Sequence, residues 1–111
     1  CFIMDTLTAI ATRRSTRMYK PEQISDSQLQ TVLAAGWASP VGHGAYGELY
    51  ISVVQNPKIL ENFAEYCGQA FGNPKYNPFY GAPTLIVVSA KPKDDGQLVY
   101  IADVGCILEN M

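Results

Sequence analysis

The stretch "SDSQLQTVLAAGWASPVGHGAYGELYISVV", residues 25–54, decides the fold. Ser25 with Gln28 three positions on is a capping-box signature, and Leu29, Val32, Leu33, Gly36 and Trp37 then recur at helical spacing. Pro40 and three glycines stop that helix. "ELYISVV", 48–54, alternates Leu49, Ile51 and Val53 with Tyr50, Ser52 and Val54 and reads as a strand. The order helix, glycine loop, strand matters because "GHGAYG", 42–47, spells GxGxxG. A dinucleotide fingerprint leaves a strand and opens a helix, so that the pyrophosphate meets the helix N-terminus. Here the loop runs the other way, and no lysine-serine or lysine-threonine pair follows it for a P-loop. It is a glycine-rich connection, open enough to admit a flat ligand near its backbone.

Upstream, Asp5 caps a short predicted helix with Leu7, Ile10 and Ala11 on one face, and the chain then enters "RRSTRMYK", 13–20. Downstream, Asn56 and Pro57 are an N-cap and a first-turn proline, and Leu60, Phe63, Ala64, Cys67 and Ala70 form the inward stripe of a third helix. "GNPKYNPFYGAP", 72–83, is a turn-rich loop with three aromatics. "TLIVVSA", 84–90, is a continuous apolar strand of the kind buried on both faces. "QLVYIADVGCILENM", 97–111, is a helix apolar on nearly every side, which needs neighbours all round, from a partner subunit or from further chain. The order helix, helix, strand, helix, strand, helix is that of a single α/β layered domain spanning residues 1–111, a sheet flanked by helices without internal repeats.

Composition narrows the function classes. The 111 residues are 48% hydrophobic and 16% charged, with a formal net charge of −2, so the chain folds and carries no broad basic surface for nucleic acid. No apolar run approaches the roughly 20 residues of a membrane span. "CFIMDTL" lacks the basic and long apolar regions of a secretory signal, and Met4 reads as a natural start with Cys1 to Ile3 added before it. Three scattered cysteines, Cys1, Cys67 and Cys106, make neither a disulfide framework nor a zinc site, and are expected as small packed side chains in a reducing cytoplasm. His43, the only histidine, has no companion cluster for a metal or a triad, so no metal site is expected. It is either a solvated loop residue or a ligand contact.

The arginine run is the strongest chemical signal. If extended, Arg13, Ser15 and Arg17 point the same way at period two; if helical, Arg13 and Arg17 meet at i, i+4. Two guanidinium forks and a hydroxyl suit one terminal phosphate. The alternative is a solvated basic face answering Glu22 and Asp26.

"AIATRRSTRMYKPEQISDSQLQTVLAAGWASP" resembles the N-terminal segment of the FMN-dependent nitroreductase family, with its Arg-x-Ser-x-Arg/Lys motif, aromatic and capped helix. "GAPTLIVVSA" resembles that family's Ala-Pro strand, and "ADVGCILENM" the start of its central helix. The resemblance implies a nitroreductase-like mixed sheet flanked by helices, of which this chain is the N-terminal part, and a homodimer with flavin at the subunit interface. It further implies that Arg13, Arg14, Ser15 and Arg17 hold the FMN phosphate and ribityl chain, with Pro40, Val41, Gly42 and His43 beside the ring. His43 and Ala45 stand about where the family has an Asn and a Gln. The implied activity is hydride transfer from NAD(P)H through FMN to a small-molecule acceptor such as a nitroaromatic or quinone. The catalytic residues are left unassigned. The alternatives are a catalytically silent dimerising or flavin-binding module and an anion-binding domain without flavin.

Overall fold

Side-chain caps start three of the helices. A computed structural model describes residues 4–92 and 98–111. Helix α1 (Thr6–Thr12) begins where the Thr8 amide donates to Asp5 Oδ1 at 3.1 Å. Helix α2 (Asp26–Trp37) has the full capping box: the Gln28 amide donates to Ser25 Oγ at 3.2 Å, and the Ser25 amide to Gln28 Oε1 at 2.9 Å. Helix α3 (Pro57–Ala70) opens under Asn56, whose side chain accepts from the amides of Lys58 and Ile59. Each such cap stabilises its helix by about 1 kcal/mol. Helix α4 (Val99–Asn110) follows Leu98 with no side-chain cap, so packing holds it in place.

Strands β1 (Leu49–Val54) and β2 (Leu85–Ala90) pair antiparallel, Leu49 opposite Ala90 and Val54 opposite Leu85. Two 3₁₀ turns, Gly42–Gly44 and Tyr46–Glu48, carry the glycine loop from α2 into β1. This is an α+β arrangement, with the loop leaving a helix and entering a strand. Helix α4 packs against both α2 and β2. Its Ile107 is fully buried, and Leu49 is the other buried apolar side chain among the described residues. Gly36 lets α2 and α4 approach: a Cβ there would lie 3.3 Å from Ile107 Cγ2 and closer still to the end of Met111.

Several expectations are corrected by how much surface stays open. Strand β2 is not buried on both faces: Val87 is 38% exposed, because β1 is its sole strand neighbour among the described residues. The apolar positions of α1 also stay open, Leu7 being 78% and Ile10 70% exposed. In the α3 stripe, Phe63 and Ala70 are exposed while Leu60, Ala64 and Cys67 are half-buried. Cys106, expected to pack, is exposed on the outer side of α4; Cys67 and Cys106 are both free thiols. Helix α4 turns one face inward through Ile107 and leaves Ile101 and Leu108 more than half exposed. The radius of gyration, 16.0 Å, exceeds the roughly 13 Å of a self-contained domain of this size. Cys1 to Ile3 and Gln97 lie outside the described residues.

Candidate functional site

Helix α1 ends at Arg13, whose ψ of 137° turns the backbone out of the helix, and residues 13–20 carry no helix. Of the two geometries open to the arginine run, the chain takes the non-helical one. Arg13 Nε lies 3.6 Å from Glu109 Oε1 on α4, with the side chains 59% and 75% exposed. Such a pair in water contributes at most about 1 kcal/mol. Arg14 is exposed. Arg17 Nη1 donates to the Ser15 carbonyl at 3.5 Å, and the Tyr19 hydroxyl donates to the Thr16 carbonyl at 3.0 Å. Among the described residues, neither Glu22 nor Asp26 forms an ion pair with these arginines.

Ser15, Thr16, Arg17 and Tyr19 line one side of a groove of about 350 Å³, and Phe79 and Tyr80 line the other. The arm that carries the arginines is tied down by Gln23. Its Nε2 donates to the Pro83 carbonyl at 3.0 Å, its Oε1 accepts from the Thr84 hydroxyl, and that hydroxyl accepts from Gln55 Nε2 at 3.1 Å. The facing wall is a set of turns. Asn77 Oδ1 accepts from the Phe79 amide at 2.9 Å, the Asn77 carbonyl from the Tyr80 amide at 3.2 Å, and the Phe79 carbonyl from the Ala82 amide at 3.0 Å. A hydrogen bond with Tyr80 pushes the Tyr76 phenol above its ordinary value, and the nearby Arg17 charge acts in the opposite direction. Guanidinium, hydroxyl and phenol around one groove form a donor set that fits a phosphate group.

The second predicted segment is built against α4. Pro40 is exposed and Val41 half-buried. The Gly42 amide donates to Asp103 Oδ1 at 2.9 Å, and a Cβ at Gly42 would lie 2.4 Å from Val99 Cγ1. His43 is exposed, with a φ of 56° that a non-glycine residue rarely takes. Two further hydrogen bonds pin the segment: the buried Ser39 donates its hydroxyl to the Cys106 carbonyl at 3.1 Å, and the Tyr46 hydroxyl donates to the Ser39 carbonyl at 2.9 Å. Asn110 Nδ2 donates to the Ala35 carbonyl at 2.6 Å and so caps the end of α2 from α4.

The structure therefore brings Ser15 and Arg17 together, and separately Val41, Gly42 and His43. It does not bring the two groups to one place. The Ser15–Arg17 groove includes Thr84 and Leu85, at the start of β2, whereas the glycine loop enters β1 at Leu49, opposite Ala90 at the end of β2. Five strand steps separate these ends, about 17 Å. Asp103, Tyr76 and Tyr80 were not singled out from the sequence. Asp103 had a signal in being the one charged residue inside the apolar run 98–108; Tyr80 lies in a turn announced by Asn77-Pro78 and Gly81. No group of three His, Cys, Asp or Glu capable of holding a metal occurs among the described residues, and no described helix is long and apolar enough to cross a membrane.

The nitroreductase family model matches residues 10–111. A nitroreductase with bound FMN from Bacteroides fragilis NCTC 9343 is 32% identical, with a TM-score of 0.85 over 97% of this chain and 62% of that one. A nitroreductase with bound FMN from Desulfitobacterium hafniense DCB-2 is 30% identical, with a TM-score of 0.77 over 97% of this chain and 63% of that one. An FMN-dependent nitroreductase from Clostridium difficile R20291 is 31% identical, with a TM-score of 0.77 over 95% of this chain and 52% of that one. The chain thus spans between half and two thirds of the length of these solved chains. No curated protein matches the sequence at a significant level.

Proposed function

Since this chain belongs to the nitroreductase family, we propose that it is the phosphate-holding part of an FMN-dependent oxidoreductase that uses NAD(P)H as reductant and a nitroaromatic, quinone or similar small molecule as acceptor. The observation that carries this reading is the groove in which Arg17 and Ser15 face a wall of aromatic side chains. In this reading Arg17 and Ser15 bind the FMN phosphate, Arg13 leaves its weak pairing with Glu109 to join them, and Arg14 adds positive potential. Pro40, Val41, Gly42 and His43 border the ring, held in place by Asp103. FMN, when bound, supplies the hydride chemistry, and the chain binds and orients it.

The separation of the two segments bears on the partner. At ordinary bond lengths the ribityl chain between a flavin's ring and its phosphate reaches only about half of 17 Å. We therefore assign the two segments around one flavin to two copies of the chain, a homodimer whose contact would also cover exposed apolar side chains such as Ile101 and Leu108 on α4.

The test is oxidation of NADH or NADPH by the purified protein with FMN and a quinone or nitroaromatic acceptor. The reading expects turnover that requires FMN and falls in Arg17→Ala. FMN binding without turnover would favour a silent flavin-binding module, and neither binding nor turnover would remove the flavin reading.

A further inference from the structure

Tyr80 has a φ of 52°, a conformation that a bulky side chain does not choose on its own. The turn around it is over-determined: Asn77 accepts from two successive amides, Gly81 follows with φ 73°, and the chain then enters β2. The result is that Tyr80 lines the same groove as Ser15 and Arg17. The neighbouring Tyr76 phenol is held above its ordinary value by its interaction with Tyr80. A phenol carries one O–H donor, which Tyr80 can offer to a ligand in this groove.

We infer that Tyr80 is a further binding residue for a phosphate monoester, donating its phenolic O–H to an oxygen of the phosphate that Arg17 and Ser15 hold from the other side of the groove. A phosphate has oxygens on several sides, so donors from both walls bind it without competing. Only the carrier of that phosphate, FMN, rests on the proposed function; the chemistry of the groove does not.

The test uses inorganic phosphate as the probe, titrated into the intact chain while the amide resonances of Ser15, Arg17, Phe79 and Tyr80 are followed. The expected result is saturable shifts in both segments with one dissociation constant. Tyr80→Phe weakens phosphate binding about tenfold, the scale of one hydrogen bond to a charged group. Unchanged resonances elsewhere report that the variant keeps the fold. Shifts confined to residues 15–17, wild-type affinity in Tyr80→Phe, or no saturable response would each overturn the inference.

FMN provides the second arm. Phosphate binding that depends on Tyr80 while FMN fails to compete would support this inference and remove the flavin reading. FMN binding lost in Arg17→Ala but untouched by Tyr80→Phe would do the reverse.

Discussion

The Gly42 amide donates to the Asp103 carboxylate at 2.9 Å, across 61 residues of sequence. This one hydrogen bond fastens the glycine loop to α4 in a partly buried setting, so the loop's position depends on a helix that forms much later in the chain. Asp103→Ala leaves the Gly42 amide without its partner and is expected to lower stability by about 1–3 kcal/mol. Asp103→Asn keeps an acceptor oxygen and is expected to lose less. Urea unfolding of both variants measures the difference, and equal stabilities would mean that the loop is held by other contacts.

Gly42 also gives a steric prediction. A methyl group there would sit 2.4 Å from Val99 Cγ1, well inside van der Waals contact. Gly42→Ala should destabilise by about 1–3 kcal/mol through overpacking. In the double variant Gly42→Ala with Val99→Ala most of that loss should return, since the two sites share one space. Additive losses in the cycle would show that the strain lies in the backbone.

These two residues also mark how far sequence reading goes here. The caps at Asp5, Ser25 and Asn56 act within three residues, so the helices they start were legible, as were the alternating strand and the direction of the glycine loop. What a residue faces depends on long-range packing, and there the reading failed. Phe63 has the place of an inward residue on α3 but is exposed, and "TLIVVSA" has the composition of a doubly covered strand but, among the described residues, one strand neighbour. The arginine run was legible as a local cluster, guanidinium donors and a hydroxyl within five residues, which the proposed function reads as phosphate chemistry. Tyr80 was not, because it reaches the same groove through a turn 63 positions after Arg17. Asp103 meets Gly42 in the same way, through a fold that no local pattern announces.

Glu109 pairs with Arg13, which the proposed function assigns to the FMN phosphate. The pair is exposed and 3.6 Å apart, so its loss should change stability little. Glu109→Gln frees Arg13 and removes a negative charge near it. FMN affinity is expected to rise, by up to about fivefold at low salt given the weakness of surface pairs. The gain should shrink as salt screens the carboxylate. A fall in affinity would place Glu109 in the binding site itself.

Helix α1 carries a pH dependence of its own. Two hydrogen bonds from Thr8, side chain first and then backbone, hold the Asp5 carboxyl below its ordinary value of 3.8. A lowered carboxylate pKa means that the stabilisation is fully present above 3.8 and is lost as pH falls through the depressed value. The helix shift of residues 6–12 should therefore be constant from neutral pH to about 4 and decline below it. Asp5→Ala should show reduced helicity without that decline. Carbon chemical shifts across an acid titration check both, and an identical acid transition in the variant would assign it to another group.

The most direct measurement is the affinity of the chain for FMN and for riboflavin, followed by flavin fluorescence, in the wild type and in Arg13→Ala and Arg17→Ala. If these arginines hold the phosphate, each substitution weakens FMN by about 1.5–3 kcal/mol, the scale of a charge-assisted hydrogen bond, and leaves riboflavin, which lacks the phosphate, nearly unchanged. FMN affinity unaltered in both variants, or FMN and riboflavin weakened alike, would contradict the account.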